Sequence, residues 1–278
     1  MEVNVGSLEG KVVFITGVAR GQGRSHAARL ASEGANIIGI DLCDQVSTVS
    51  YPMSTEQDLL ETVELVEAAG GKMLARRADV RDFDGLQSAV DEGVAHFGRL
   101  DVVIANAGVM FQGCPPERDG DAFRDAIDIM LVGAWNTIRV ALPQMLEQGD
   151  GGSIVLISST NGLRGAVAGA RGGNFGYAAA KHGVVGLMRM YANYLAPHSI
   201  RVNTVHPTGV DTPMLEGFAE FVAQIPPDEL PSDRLGNPMP VERIEAIDVS
   251  NAIAWLVSDQ ARYVTGITLP VDAGFTNK

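Results

Sequence analysis

Val12-Val13-Phe14-Ile15-Thr16-Gly17-Val18-Ala19-Arg20-Gly21-Gln22-Gly23 is the stretch on which the reading of this chain turns. Residues 12–16 are apolar and rich in β-branched side chains, as a buried strand requires. The glycines that follow permit a tight turn and let backbone approach a pyrophosphate closely. The helix expected over 23–32 then offers unpaired N–H groups and the positive end of its dipole. The next apolar run, 36–41, ends in Asp41, roughly 20 residues on, where a carboxylate accepts hydrogen bonds from an adenosine ribose and repels a 2′-phosphate. The expected cofactor is therefore NAD. Arg20 is a counter-signal, because a basic residue in this turn can meet a 2′-phosphate.

Outward from this turn, short Val- and Ile-rich runs alternate with segments of helical period. Strands are expected at 12–16, 36–41, 73–78, 101–105, 153–158, 201–205 and 267–271, each buried on both faces. Helices are expected at 23–32, 56–69, 83–97, 122–147, 177–195 and 249–257. This rhythm implies right-handed βαβ units. The fold class is α/β, a Rossmann-type doubly wound seven-stranded parallel sheet with helices on both faces, and 1–278 form one domain. Two stretches break the rhythm. Residues 42–55 carry Cys43, Tyr51 and Pro52, and 209–245 carry Pro213, Pro226, Pro227, Pro231, Pro238 and Pro240. Long irregular stretches in a compact domain are usually functional or mobile, although both also fit plain surface excursions. In 209–245, Met214, Leu215, Phe218, Phe221, Val222 and Ile225 fit either a lid over a substrate or a helix packed on the core.

Of the 278 residues 46% are hydrophobic and 20% charged, as in ordinary soluble globules. The net charge of −13, without any basic block, argues against nucleic acid and anionic membrane as partners. The two cysteines, Cys43 and Cys114, are far apart and lack metal spacing. His26, His182 and His206 read as packing or capping residues, and no metal site is expected. No run has the apolar length of a membrane span, and residues 1–10 lack a signal-peptide layout, so the expected location is the cytosol.

Tyr177 and Lys181 are four residues apart in an expected helix and so share a face. A free phenol has a pKa of about 10; a neighbouring ammonium favours the phenolate and lowers it. Such a pair can move a proton on or off an alcohol oxygen, and Ser159 lies a short way upstream.

The glycine spacing Gly17-x-x-x-Gly21-x-Gly23 resembles that of the short-chain dehydrogenase/reductase family in its single-domain branch. The resemblance runs from Leu8 to about Phe275. It implies that Gly17, Arg20, Gly21, Gln22 and Gly23 form the phosphate turn, that Asp41 and Leu42 meet the adenosine, and that Asp79 and Val80 contact the adenine. Asn106, Ala107 and Gly108 match the motif beside the cofactor ribose. Pro207, Gly209, Val210 and Thr212 fall on the segment that holds the nicotinamide carboxamide. Tyr263-Val264-Thr265-Gly266 and Val271-Asp272-Ala273-Gly274 match the C-terminal strand region. Ser159, Tyr177 and Lys181 fall on the catalytic residues: Ser159 orients the substrate oxygen, Tyr177 is the general base or acid, and Lys181 lowers the tyrosine pKa and holds the nicotinamide ribose. A narrower likeness is to the carveol dehydrogenase-like, mycofactocin-associated branch, through Phe14 to His26, Asp41-Leu42-Cys43 with its inserted loop, and Val205-His206-Pro207-Thr208-Gly209-Val210. That branch implies NAD that stays bound and is reoxidised in place by a redox carrier, a terpene-like secondary alcohol and its ketone as substrates, and a homotetramer.

Two departures from the family pattern stand out. Met130 occupies the position of an asparagine that usually helps hold a water leading from the lysine. Methionine sulfur is a weak acceptor and cannot replace an amide. The proton relay is then altered, or activity is reduced, or a neighbour such as Asn136 or Asn161 substitutes. The interval from Ser159 to Tyr177 is also long; residues 164–175 are glycine-rich and are expected to loop out beside the substrate pocket, or as a plain surface bulge. Two other functions stay open at this level: a reductase with exchangeable NAD(P)H, and a catalytically weak NAD-binding regulatory protein.

Overall fold

The computed structural model describes residues 6–165, 169–223, 225 and 236–277. Pro226, Pro227 and Pro231 of the 209–245 segment, and 166–168 of the glycine-rich interval, lie outside the described residues.

Seven parallel strands form one sheet: β1 (Val12–Thr16), β2 (Asn36–Asp41), β3 (Met73–Arg77), β4 (Val102–Ala105), β5 (Gly152–Ile157), β6 (Ile200–Pro207) and β7 (Thr268–Val271). Their spatial order is β3-β2-β1-β4-β5-β6-β7. Eight helices accompany them among the described residues: α1 (Gly21–Ala31), α2 (Glu56–Ala68), α3 (Phe83–Phe97), α4 (Asp119–Ile127), α5 (Gly133–Gln148), α6 (Gly172–Leu195), α7 (Phe218–Ala223) and α8 (Ala246–Val257). Alternate residues of each strand feed opposite faces. Val12 and Phe14 join Ile154, Leu156, Leu86, Ile138 and Met188 on one side. Val13 and Ile15 join Val155, Leu30, Ile253 and Leu256 on the other. Each fully buried Leu or Ile contributes about 2 kcal/mol by leaving water, so both layers stabilise the sheet between them. The outer strands β3 and β7 are only partly buried. The expectation of strands buried on both faces fails there, because an edge strand has a neighbour on one side only.

Local signals set the helix ends. Thr55 and Asp58 exchange side-chain and backbone bonds in a capping box that starts α2. Gly98 and Gly149, at φ 82 and 70, close α3 and α5 in the left-handed region. The single helix expected over 122–147 is two helices joined by a π-helical turn, Asp128–Val132. Helical periodicity continues through such a turn, which is why the sequence did not betray it. α6 begins at Gly172, five residues ahead of Tyr177, so 172–175 extend the helix instead of looping out. Three glycines there, Gly172, Gly173 and Gly176, let its first turns lie against Asp119, Phe111 and Phe123 without side chains of their own.

β1 pairs with β2 on one side and β4 on the other. The chain leaves this pair in opposite directions, and the resulting crevice at the strands' carboxyl ends is where open α/β sheets bind ligands.

Candidate active site

Two adjoining cavities open at that crevice. The narrower, about 130 Å³, runs over the carboxyl ends of β1, β2 and β4. Gly17, Arg20, Gly21, Gln22 and Gly23 line it, with Asp41 and Leu42, Asp79 and Val80, and Asn106, Ala107 and Gly108. Gly17 has φ +69, and a Cβ on it would meet Ala107 Cα at 2.8 Å. A Cβ on Gly23 would meet the Gly17 carbonyl at 2.0 Å. Only glycine satisfies both the backbone angle and the close approach. Asn106 clamps the turn by donating Nδ2 to the carbonyls of Thr16 and Gly17, both at 3.0 Å.

Asp41 is buried, and its carboxylate accepts from Ala19 N at 2.9 Å and Ser54 Oγ at 2.6 Å. Asp79 is held below the ordinary carboxylate range by bonds from Arg81, which outweigh its partial burial. Arg20 does not stand free to meet a phosphate: Nη2 donates to the Pro52 carbonyl at 2.7 Å, and the guanidinium lies 5.9 Å from the centre of the Tyr51 ring.

The segment 42–55 folds down over this cleft. Val46, Val49 and Tyr51 are buried in the core, and Tyr51 Oη accepts from Met110 N at 3.2 Å. Ser50 Oγ donates to the Gln112 carbonyl, and Arg118 donates to the Ser47 carbonyl at 2.6 Å. Val46, Tyr51, Met53 and Ser54 line the cleft, and the sequence did not single out these four as cofactor neighbours. Their signal was the failure of the strand–helix rhythm, which locates an insert without naming which of its residues reach the cleft. Cys43, in the left-handed region at φ 49, is a free thiol pushed up to about 12 by burial and the Asp41 charge, which leaves it unreactive near neutrality.

The wider cavity, about 460 Å³, lies beside β5, α6 and the start of the 209–245 segment. Ser159 and Tyr177 face it. Pro207, Gly209 and Val210 line this cavity and not the narrow one; Thr212, Gln22 and Met214 border both. Leu215, Phe218, Phe221 and Val222 supply an apolar wall, so α7 is part of the cavity and not merely packed on the core. Asn174, one turn before Tyr177 on the same face of α6, lines it as well.

Lys181 is fully buried, and Nζ lies 5.7 Å from the centre of the Tyr177 ring. It donates to the Ile157 carbonyl at 2.7 Å. Burial lowers its pKa to about 8. Burial raises the Tyr177 phenol, and the Ser159 side chain beside it pulls the other way. The expected lowering of the phenol by lysine is not seen in this structure: desolvation dominates, and the opposing pull comes from Ser159.

Met130 sits in the π-helical turn, 1% exposed. Its sulfur and Lys181 Nζ each lie 3.7 Å from where a Cβ on Gly108 would be, so both flank one glycine. Asn136 does not replace the missing amide: its Nδ2 is engaged with the Val80 carbonyl at 3.0 Å. Asn161 does reach the cavity, and its N–H donates to Ser159 Oγ at 3.1 Å.

A family model described as enoyl-(acyl carrier protein) reductase, of the short-chain alcohol dehydrogenase group, matches residues 17–276. The chain is a short-chain dehydrogenase/reductase. This oxidoreductase is 56% identical over 98% of both chains to an oxidoreductase of Mycobacterium tuberculosis (strain CDC 1551 / Oshkosh). It is 45% identical, over 98% of its own length and 99% of the relative's, to (-)-trans-carveol dehydrogenase of Rhodococcus erythropolis. The crystal structure of carveol dehydrogenase from Mycobacterium avium in complex with NAD superposes with a TM-score of 0.88 at 47% identity, covering 98% of this chain and all of that one.

The narrow cleft fits a dinucleotide on its own evidence. Its floor is glycine where a side chain would fill it, and Gln22 Oε1 is buried there without a hydrogen-bond partner among the described residues. A buried polar atom left unmatched points to a ligand or water that completes it. Among the described residues no group of three or more His, Cys, Asp or Glu side chains is arranged to hold a metal. Among the described residues, one helical stretch is apolar and long enough to cross a membrane, Pro116–Gln148, and over half of its apolar window is buried inside the fold.

Proposed function

We propose that this dehydrogenase oxidises a hydrophobic secondary alcohol to its ketone, reversibly, with NAD held in the narrow cleft. The observation that carries the reading is the meeting of the two cavities at Gln22, Thr212 and Met214, with Ser159 and Tyr177 on the wider side and the phosphate turn on the narrower. The N–H groups at the start of α1 would hold the pyrophosphate, Asp41 the adenosine ribose, and Asp79 and Val80 the adenine. Lys181 would hold the second ribose, and Pro207, Gly209, Val210 and Thr212 the carboxamide. NAD, when bound, supplies the hydride acceptor and a positive charge.

Ser159 donates to the substrate oxygen and aims it at Tyr177. Tyr177 removes the alcohol proton as general base, a role that burial opposes and that adjacent positive charge restores. Lys181 keeps its ammonium on the Ile157 carbonyl and supplies positive charge beside Tyr177; the proton that Tyr177 takes up leaves to solvent by an altered route, because Met130 offers no amide to hold a water on the way. The apolar wall of Leu215, Phe218, Phe221 and Val222 supports an alcohol of terpene-like character, as does the likeness to enzymes named for carveol.

The docked insert further supports NAD that is retained between turnovers, with a mycofactocin-type carrier as the electron acceptor. It also favours NAD over NADP, since Arg20 is committed to Pro52. We place the enzyme in the cytosol as a homotetramer, following its family. The test is to denature the purified protein and assay released NAD, then to follow trans-carveol oxidation with added NAD and, separately, with an artificial electron acceptor. Bound NAD and turnover only with the acceptor are expected. A cofactor-free protein that turns over quickly on added NAD(H) would establish the exchangeable enzyme instead. Absence of turnover in both assays across varied alcohols would leave a binding protein.

A further inference from the structure

The last residues of β5 are held from two sides. Lys181 Nζ donates to the Ile157 carbonyl at 2.7 Å, and Ser158 Oγ donates to the Lys181 carbonyl at 2.9 Å. Ser158 N donates to the Val205 carbonyl at 2.9 Å. Ser159 follows in extended backbone, φ −166 and ψ 164. Its carbonyl meets His206 Nδ1 at 2.8 Å. His206 lies on β6, fully buried, two residues after Thr204 and therefore on the same face. Its Nε2 lies 2.8 Å from Thr204 Oγ1.

These contacts fix the tautomer. A carbonyl can only accept, so Nδ1 carries the proton. Nε2 of the neutral ring is then bare and takes the Thr204 hydroxyl proton, for which the alternative acceptor, the Ile267 carbonyl, is farther at 3.4 Å. Burial lowers the His206 pKa to about 4; Lys181 and His182 push the same way, while the Ser159 carbonyl and Asp272 oppose. The ring is neutral at neutral pH. On the other side of Ser159, its Oγ accepts from Asn161 N, which leaves the hydroxyl proton free for the Tyr177 side of the cavity.

We propose that His206 is a positioning residue for the reaction: its Nδ1–H tethers the Ser159 peptide and so aims the Ser159 hydroxyl at the reacting oxygen and at Tyr177. The proposal rests on the reading of Ser159 as the residue that orients the substrate. A misplacement of about 1 Å at such a group costs on the order of 10²-fold in rate.

Asparagine presents an amide nitrogen at the same bond count from Cα as Nδ1, whereas glutamine presents it one atom farther, at the place of Nε2. His206→Asn is therefore expected to keep kcat for trans-carveol oxidation within about threefold of wild type, and His206→Gln to lower it on the order of 10²-fold with KM little changed. Two readouts need no substrate. Nitrogen-15 NMR of the histidine rings at pH 7 is expected to show His206 neutral and protonated at Nδ1. Ultraviolet titration, differenced against Tyr177→Phe, is expected to show a higher Tyr177 pKa in His206→Gln but not in His206→Asn, because a displaced Ser159 no longer favours the phenolate. Equal behaviour of the two variants in that titration, or an Nε2-protonated or charged ring, overturns the tether. So does a kcat loss that merely follows melting temperature across both variants. Failure of the wild type to oxidise carveol counts against the substrate proposed above, and the titration and NMR still decide the role of His206.

Discussion

The two cavities are built by different means. The narrow one is made of backbone: glycines, amide N–H groups and strand ends, with Asp41 and Asn106 as polar fixtures held by several bonds each. The wide one is made largely of side chains from segments outside the strands, above all Met214, Leu215, Phe218 and Phe221. Backbone recognition of a phosphate admits few sequences, whereas an apolar wall can be assembled from many. The first region is therefore conservative in design and the second adjustable. Gln112 joins the covers of both: its carbonyl receives Ser50 Oγ from the insert, and its Nε2 donates to the Met214 carbonyl at 2.8 Å.

The contrast breaks first at the residue proposed to carry the proton, which lines the wide cavity alone. Tyr177→Phe keeps the ring and its packing but removes the ionisable group. Alcohol oxidation is expected to fall by about 10³-fold, within the usual range of general acid–base catalysis, while the NAD released on denaturation is unchanged. Measured by single-turnover hydride transfer, a rate near wild type would remove Tyr177 from the chemistry.

A second test reaches the layer beneath the phosphate turn. His26, on α1, is fully buried with Nδ1 2.7 Å from Ser250 Oγ of α8 and Nε2 without a partner among the described residues. Burial lowers its pKa from 6.5 to about 3. As pH falls from about 6.5 toward 3, the unfolded chain binds a proton that the folded chain refuses, so stability is lost at up to about 1.4 kcal/mol per pH unit. At pH 5 this loss is about 2 kcal/mol relative to pH 7. His206, lowered to about 4, adds to it in the same direction. Urea unfolding at both pH values is expected to show His26→Phe losing markedly less stability on acidification than wild type; an unchanged pH slope would contradict the burial of a neutral ring.

The sheet and phosphate turn were legible because they obey short-range rules. Strand period, glycine spacing and Asp41 placed β1, α1 and β2 within two residues of where they lie. The nearness of Tyr177 and Lys181 was legible for the same reason, since four residues along a helix fix a face; Ser159, on another element, was named only through the family resemblance. What escaped depends on contacts distant in sequence. Nothing local in Tyr51 or Ser54 marks them, among the insert's residues, as the ones that reach a cleft begun about 30 residues earlier. The π-helical turn at Met130 keeps helical hydrophobicity while changing the geometry. The early start of α6 was hidden by Gly172, Gly173 and Gly176, which read as a loop by propensity but are glycine because α4 and Phe111 leave no room for side chains there.

The smaller effects separate the two covers. Phe218→Ala trims the apolar wall of the wide cavity, and a pocket contact of this kind is worth roughly 10-fold in discrimination. It is expected to raise KM for a bulky apolar alcohol by that factor and to leave NAD release untouched. Tyr51→Phe acts on the other cover. It removes one hydroxyl, which receives Met110 N at 3.2 Å, and keeps the buried ring beside Arg20. One net hydrogen bond of about 1 kcal/mol corresponds to roughly a fivefold change. If the insert holds the cofactor, NAD should leave the Tyr51→Phe protein about five times faster, read by trapping released NAD with a coupled enzyme. KM for the alcohol moves less, because Gln112 still grips Met214 after Tyr51 has let go. Equal shifts in release and KM from this one hydroxyl would mean that the insert and α7 move as a single cover, and that the division between a fixed cofactor side and an adjustable substrate side stops at Gln112.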